Sequence, residues 1–126
     1  MKTLTLAFAI LAVLPLSAEA QSRPATKAQI ELAREGMQDR LKDADSAKFR
    51  NVRLGGGDEK NTVCGEVNAK NSYGAYGGFV SFMGMYIGPE SYTDSATVKH
   101  AASIYIVGVD EEPSGAAAQI CAKKGI

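Results

Sequence analysis

The sequence is poor in the residue types on which most enzyme sites depend. Its 126 residues include one histidine, His100, two cysteines and no tryptophan. The serines occur without a Gly-x-Ser-x-Gly motif, so neither a nucleophile elbow nor a Ser–His–Asp triad is indicated. One histidine and two cysteines cannot form the usual four-ligand zinc site. We therefore expect no catalytic residue, no metal site and no cofactor.

Net charge and long apolar runs are also scarce. The 14 basic and 14 acidic residues balance. Bulk charge therefore gives no reason to expect binding to nucleic acid or to an anionic membrane surface. The longest apolar run, residues 4–14, is shorter than the roughly 20 residues that a membrane-spanning helix needs. We expect no membrane span.

The first 20 residues have the three parts of a secretory signal peptide. Lys2 gives a positive start, residues 4–14 form the apolar segment, and Ala18 and Ala20 are the small residues that signal peptidase reads. We expect cleavage after Ala20 and a periplasmic or secreted protein. The mature chain, residues 21–126, is long enough for a single small domain with one modest core.

Cys64 and Cys121 are the two cysteines of the mature chain. An even number of cysteines in an exported chain predicts a disulfide. The alternative is a redox or catalytic thiol. That alternative lacks a Cys-x-x-Cys motif and an evident neighbouring base.

Hydrophobic periodicity predicts an α+β fold that begins and ends with a helix. Thr26 can cap the first helix, of roughly four turns, and Ser114 can cap the last, over residues 115–124. Spacings of three and four place an apolar stripe on one face of the first helix: Ile30, Ala33, Met37 and Leu41.

Between these helices the pattern predicts a small antiparallel sheet of three to four strands. The candidate strands are residues 49–54, 62–69, 79–87 and 102–109. The last two are apolar on both faces, which is typical of strands covered on both sides. Each helix could cover one face, or one face could meet a partner subunit in a homo-oligomer. Residues 90–99 are interpreted as a polar loop.

The segment 68–78 is the candidate binding site. Gly74, Gly77 and Gly78 allow backbone conformations that other residues resist, and its asparagines favour turns. A simple hairpin turn explains those residues, and that interpretation stays open. The turn does not require two aromatic rings and a cation. We therefore predict a recognition surface with these contact residues: Asn68, Lys70, Asn71, Tyr73 and Tyr76.

Two stretches, LKDADSAKF at residues 41–49 and CGEVNAKNSYGAYGGF at residues 64–79, carry a family resemblance. The first is similar to a Leu-Lys-Asp-Pro-x-Ser-Ala-x-Phe pattern, with Ala44 in place of the proline. The second is similar to Cys-Gly-x-Val-Asn-x-Lys-Asn followed by Gly-x-Tyr-x-Gly-Phe. Together they resemble small exported or envelope-associated bacterial proteins of unknown function. The resemblance implies no activity for this chain.

Three functions are consistent with the sequence. We favour a non-catalytic exported module that binds a protein or an envelope glycan, in the manner of an inhibitor. The first alternative is a small hydrolytic enzyme acting on envelope material, with Asp94 and His100 in the polar loop as its candidate pair. The second alternative is a structural envelope protein.

Overall fold

A computed structural model describes residues 21–88 and 102–126. The predicted signal peptide, residues 1–20, and the predicted polar loop with Asp94 and His100 lie outside these residues. In the described part, five antiparallel strands pair in chain order, with a helix on each face of the sheet. The elements are β1 (Arg23–Pro24), α1 (Lys27–Gly36), β2 (Lys48–Leu54), β3 (Thr62–Asn68), β4 (Val80–Ile87), β5 (Ser103–Val109) and α2 (Ala116–Lys123). The predicted α+β class is confirmed.

Helix α1 begins at the predicted cap. Thr26 Oγ1 accepts a hydrogen bond from the amide of Gln29, and the side chain of Gln29 accepts one from the amide of Thr26. The helix ends at Gly36, earlier than the predicted four turns, although Met37 beyond it is fully buried. The Cα of Gly36 lies so close to the carbonyl of Ile104 that any side chain there would clash. The glycine thus lets α1 pack directly onto β5.

The inner face of the sheet, which we define as the face covered by α1, carries the main core. Phe49 and Phe82 meet edge to face, with ring centroids 5.8 Å apart. Val52 and Leu54 of β2 are both buried in this core. The largest fully buried side chains are Phe82, Met37, Leu54, Ile106, Val63 and Val67.

The sheet has five strands, so the predicted number of three to four is wrong. The additional strand is β1, which lies in a segment with no hydrophobic period. Arg23 pairs with Leu54 and Pro24 with Arg53, and the amide of Ala25 donates to the carbonyl of Val52. Proline is tolerated here because β1 is an edge strand. A two-residue strand is too short to produce an alternating pattern.

The outer face of the sheet carries Cys64, and the predicted disulfide is confirmed. Cys64 on β3 is bonded to Cys121 on α2, with the two Cα atoms 6.1 Å apart. Both cysteines are buried. The bond therefore fastens α2 to the outer face of the sheet.

The N-cap of helix α2 is Gly115, and Ser114 does not cap the helix as predicted. The carboxylate of Asp110, at the end of β5, accepts hydrogen bonds from the amides of Ala117 and Ala118 at 2.8 and 3.0 Å. Asp110 therefore takes the capping role from outside the helix. Beyond the other end of the helix, Gly125 has a left-handed φ of 71°, a conformation in which glycine commonly ends helices.

Helix α2 covers only part of the outer face. Met85, Ile87 and Tyr105 point to the same side as Cys64 and are 51–59% exposed. The expectation that both faces would be covered is therefore met on the inner face and only in part on the outer one. A homo-oligomer through this face stays a prediction. No helix among residues 21–88 and 102–126 has the length and apolar character needed to cross a membrane.

Candidate functional site

The predicted hairpin is present: residues 68–78, here called the hairpin tip, connect β3 to β4. Inside it, Lys70 and Tyr76 form one more antiparallel bridge. Every residue from 70 to 78 is exposed. Four of the predicted contact residues lie on this exposed projection: Lys70, Asn71, Tyr73 and Tyr76. The fifth, Asn68, is half-buried at the end of β3.

Two asparagines shape this projection. Asn71 Oδ1 accepts hydrogen bonds from the amides of Tyr73 and Ala75 at 2.9 and 3.2 Å. Asn68 Oδ1 accepts one from the amide of Gly78 at 3.2 Å. Gly74 and Gly78 have positive φ angles of 75° and 109°, which favour glycine. The side-chain oxygens of both predicted asparagines are thus engaged in forming the turn.

The hairpin tip is fastened to the body of the protein through Ser46, in the 3-10 turn Ala44–Ser46. The amide of Lys70 donates to Ser46 Oγ at 3.0 Å, and the hydroxyl of Tyr76 donates to the carbonyl of Ser46 at 3.0 Å. Asp43 holds Ser46 in turn: Ser46 Oγ donates to its carbonyl, and its Oδ1 accepts from the amide of Ser46. The segments 41–49 and 64–79 therefore meet here.

Our sequence reasoning missed Ser46. The Asp43-x-x-Ser46 spacing does indicate a capped turn. It does not indicate which part of the chain that turn will hold.

Two tyrosines of the hairpin tip lie in different environments. The Tyr76 ring is 38% exposed, with the ammonium groups of Lys48 and Lys70 at 4.4 and 5.8 Å from its centroid. Tyr73 is 94% exposed. Tyr76 is therefore partly a structural residue, whereas the ring of Tyr73 is presented to solvent.

Beside the hairpin tip, an ion pair stiffens β2 and β3 on the outer face. Arg50 donates two hydrogen bonds to the carboxylate of Glu66 at 3.0 and 2.9 Å, and Asn51 donates a third at 2.8 Å. The guanidinium of Arg50 also lies 3.9 Å from the ring centroid of Phe79. The hydrogen bonds from Arg50 and then from Asn51 hold the pKa of Glu66 below its usual range.

Several titratable side chains of the described residues are engaged in structural contacts. Among them, no three His, Cys, Asp or Glu side chains are grouped to hold a metal ion. Both cysteines are joined in the disulfide. The carboxylate of Glu59 is held by Lys124 and by the hydroxyl of Thr62, which lower its pKa in that order.

Comparison with known proteins gives no match: no family model fits the chain, and no curated protein or solved structure is significantly similar to it.

Proposed function

We propose that the protein is an exported, non-catalytic binding module whose hairpin tip contacts a protein or an envelope glycan. The observation that carries this proposal is Tyr73, which is 94% exposed at the end of a hydrogen-bonded turn. An aromatic ring exposed to water gains apolar contact when a partner covers it, and its hydroxyl can still form a hydrogen bond. A preformed turn also reduces the entropy lost on binding.

Three further observations support export. Residues 1–20 have the pattern of a signal peptide. A disulfide of this kind persists mainly in oxidising compartments such as the periplasm or the extracellular space. Residues 41–49 and 64–79 resemble exported or envelope-associated bacterial proteins. These features together support the proposal of a periplasmic or secreted location.

A binding comparison of two tyrosine variants tests the role of the hairpin tip. Mature protein is incubated with two separate probes, purified cell-wall sacculi and immobilised envelope proteins. We expect Tyr73→Ala to weaken retention by one of them at least about fivefold, since a contact residue contributes more than about 1 kcal/mol. Its unfolding free energy should change by about 0.5 kcal/mol or less, because the ring packs against little else.

Tyr105→Ala is the matched control. Tyr105 is also exposed, at 59%, but it lies on β5, away from the hairpin tip. Retention of this variant should equal that of the wild type. If the Tyr73 and Tyr105 variants bind equally well, the hairpin tip is not the recognition surface.

A further inference from the structure

An open groove of about 440 Å³ runs beside the hairpin tip. One wall is the turn after α1, the second is the tip itself, and the third is the end of β5. The groove lies at the end of the sheet where β4 begins at Val80 and β5 ends at Val109. Aliphatic side chains contribute its apolar lining: Leu41, Val67, Ala69, Val80 and Val109.

Some charged groups along this groove form hydrogen bonds within the fold, and others do not. Arg40 donates to the carbonyl of Ile106, and Asp110 caps α2. Lys42, Lys70 and Glu111 also line the groove. Their charged groups form no ion pair with any residue in the described ranges. Two cations and one carboxylate therefore line the groove without a charged partner in the described ranges, although the ammonium of Lys70 also lies 5.8 Å from the centroid of the Tyr76 ring.

Gly77 lines the same groove, and nothing in the fold requires a glycine at this position. Its φ angle is not in the left-handed region, unlike those of Gly74 and Gly78. A Cβ at Gly77 would meet no atom within 4 Å. A glycine that neither backbone conformation nor packing demands allows a ligand to approach the main chain closely.

We infer that this groove binds an extended acidic peptide segment of a partner protein. The inference rests on the proposed binding function and deepens it. An acidic side chain of the peptide lies near Lys42 and Lys70, while its amide or basic groups lie near Glu111. Its small apolar side chains cover the aliphatic lining, and its main chain passes over Gly77.

A peptide fits this groove better than a glycan does. Sugar rings are commonly bound by stacking on aromatic side chains, and no aromatic residue of the described chain lines the groove. An extended peptide instead requires apolar contacts, fixed charges and access to main-chain groups, as in other peptide-recognition sites. The groove offers all three.

Two synthetic peptides test the inference. Acetyl-Ala-Glu-Ala-Glu-Ala-amide and its Gln counterpart are titrated into isotope-labelled mature protein, and amide chemical shifts are followed by NMR. We expect the acidic peptide to shift the amides of Ala69, Gly77 and Val109. The Gln peptide should bind at least about fivefold more weakly, and added salt should weaken binding of the acidic one.

Variants of the groove should separate ligand binding from folding. Gly77→Val should weaken binding of the acidic peptide on the order of tenfold by blocking the groove. Gly108→Val is its control, because Gly108 on β5 also has open space and no positive φ but does not line the groove. Both variants should melt close to the wild type.

A charge variant keeps the inference testable if Gly77→Val fails to fold. Lys42→Gln should weaken binding of the acidic peptide about fivefold. Lys27 is also exposed and lies at the other end of α1, so Lys27→Gln should leave binding of the acidic peptide unchanged.

Three results would overturn the inference: no binding of the acidic peptide, unchanged binding in folded Gly77→Val or Lys42→Gln, or binding of an acidic glycan such as polygalacturonate in place of the peptide. The proposed function fails by a different measurement, equal retention of the Tyr73 and Tyr105 variants, so the two failures are distinguishable.

Discussion

Ser46 shows how one small side chain positions a candidate binding surface. It contacts the hairpin tip twice, through its hydroxyl at the amide of Lys70 and through its carbonyl at the hydroxyl of Tyr76. Asp43 fixes the orientation of the hydroxyl. The placement of the exposed ring of Tyr73 therefore depends on residues about thirty positions earlier in the chain.

We expect Ser46→Ala to loosen the hairpin tip without unfolding the domain. It removes the hydrogen bond accepted from Lys70 and leaves that amide unpaired, at a cost of about 0.5–1.5 kcal/mol. Denaturant unfolding measures this loss, and hydrogen exchange at Lys70 should become faster. Ser72→Ala, in an exposed part of the same turn, should change neither quantity. Unchanged exchange in Ser46→Ala would show that Ser46 does not hold the tip.

Glu66 should make folding sensitive to acid. Hydrogen bonds from Arg50 and Asn51 lower its pKa in the folded state below the ordinary value of 4.5. The unfolded chain therefore binds the proton more readily, so this stabilisation is complete above about pH 4.5 and is lost as the pH falls through the folded pKa. We expect the unfolding free energy to fall below pH 4.5, and to fall less steeply in Glu66→Gln.

Glu112→Gln is the control for this pH dependence, since Glu112 carries an exposed carboxylate in the turn before α2. Its profile of unfolding free energy against pH should follow that of the wild type. A Glu66→Gln profile with the wild-type slope below pH 4.5 would show that the contact with Arg50 does not form in solution.

Helix α2 is an element held mainly by its attachments. It has only eight residues, and Ala117 and Cys121 are its buried side chains. Asp110 caps its first turn, and the disulfide holds its second half at Cys121. Just beyond its end, Lys124 forms an ion pair with Glu59, with an N–O distance of 2.7 Å. A helix this short would not be stable alone in water.

Replacing Cys64 and Cys121 together by serine should therefore affect α2 more than the sheet. The bond closes a loop with a sequence separation of 57. In the chain-entropy model, its loss lowers the unfolding free energy by roughly 4 kcal/mol. Calorimetry measures the lower melting temperature, and hydrogen exchange should show the greatest loss of protection in α2. Two freely alkylated thiols in native, exported protein would contradict the disulfide itself.

For the whole molecule, the sequence predicts the repeating parts of the fold well. The strands β3 and β4 begin or end within one residue of their predicted limits, because β3 alternates and β4 is a short apolar run, and both are strong signals. The even cysteine count led to the correct disulfide. A regular pattern is local in the sequence, and two cysteines allow only one intramolecular pairing, so both features can be predicted from the sequence.

Features that depend on contacts between distant segments could not be predicted. The strand β1 exists because Pro24 reaches Arg53, and α2 is capped by Asp110 although Ser114 is nearer in the chain. In the hairpin tip, the sequence indicated Asn68 and Asn71 as contact residues. The structure shows that their oxygens form the turn.

The position of Arg40 has a consequence for aggregation. Ser103–Val109 forms an outermost strand in the described sheet and contains neither charge nor proline, which is the composition of segments that add strands into fibrils. The guanidinium of Arg40 donates a hydrogen bond to the carbonyl of Ile106, and Gly36 allows α1 to pack against the carbonyl of Ile104. A second chain therefore cannot extend the sheet there while α1 stays docked.

We expect Arg40→Ala to shorten the lag before thioflavin-positive fibrils form under mildly destabilising conditions. Lys27→Ala should leave that lag unchanged.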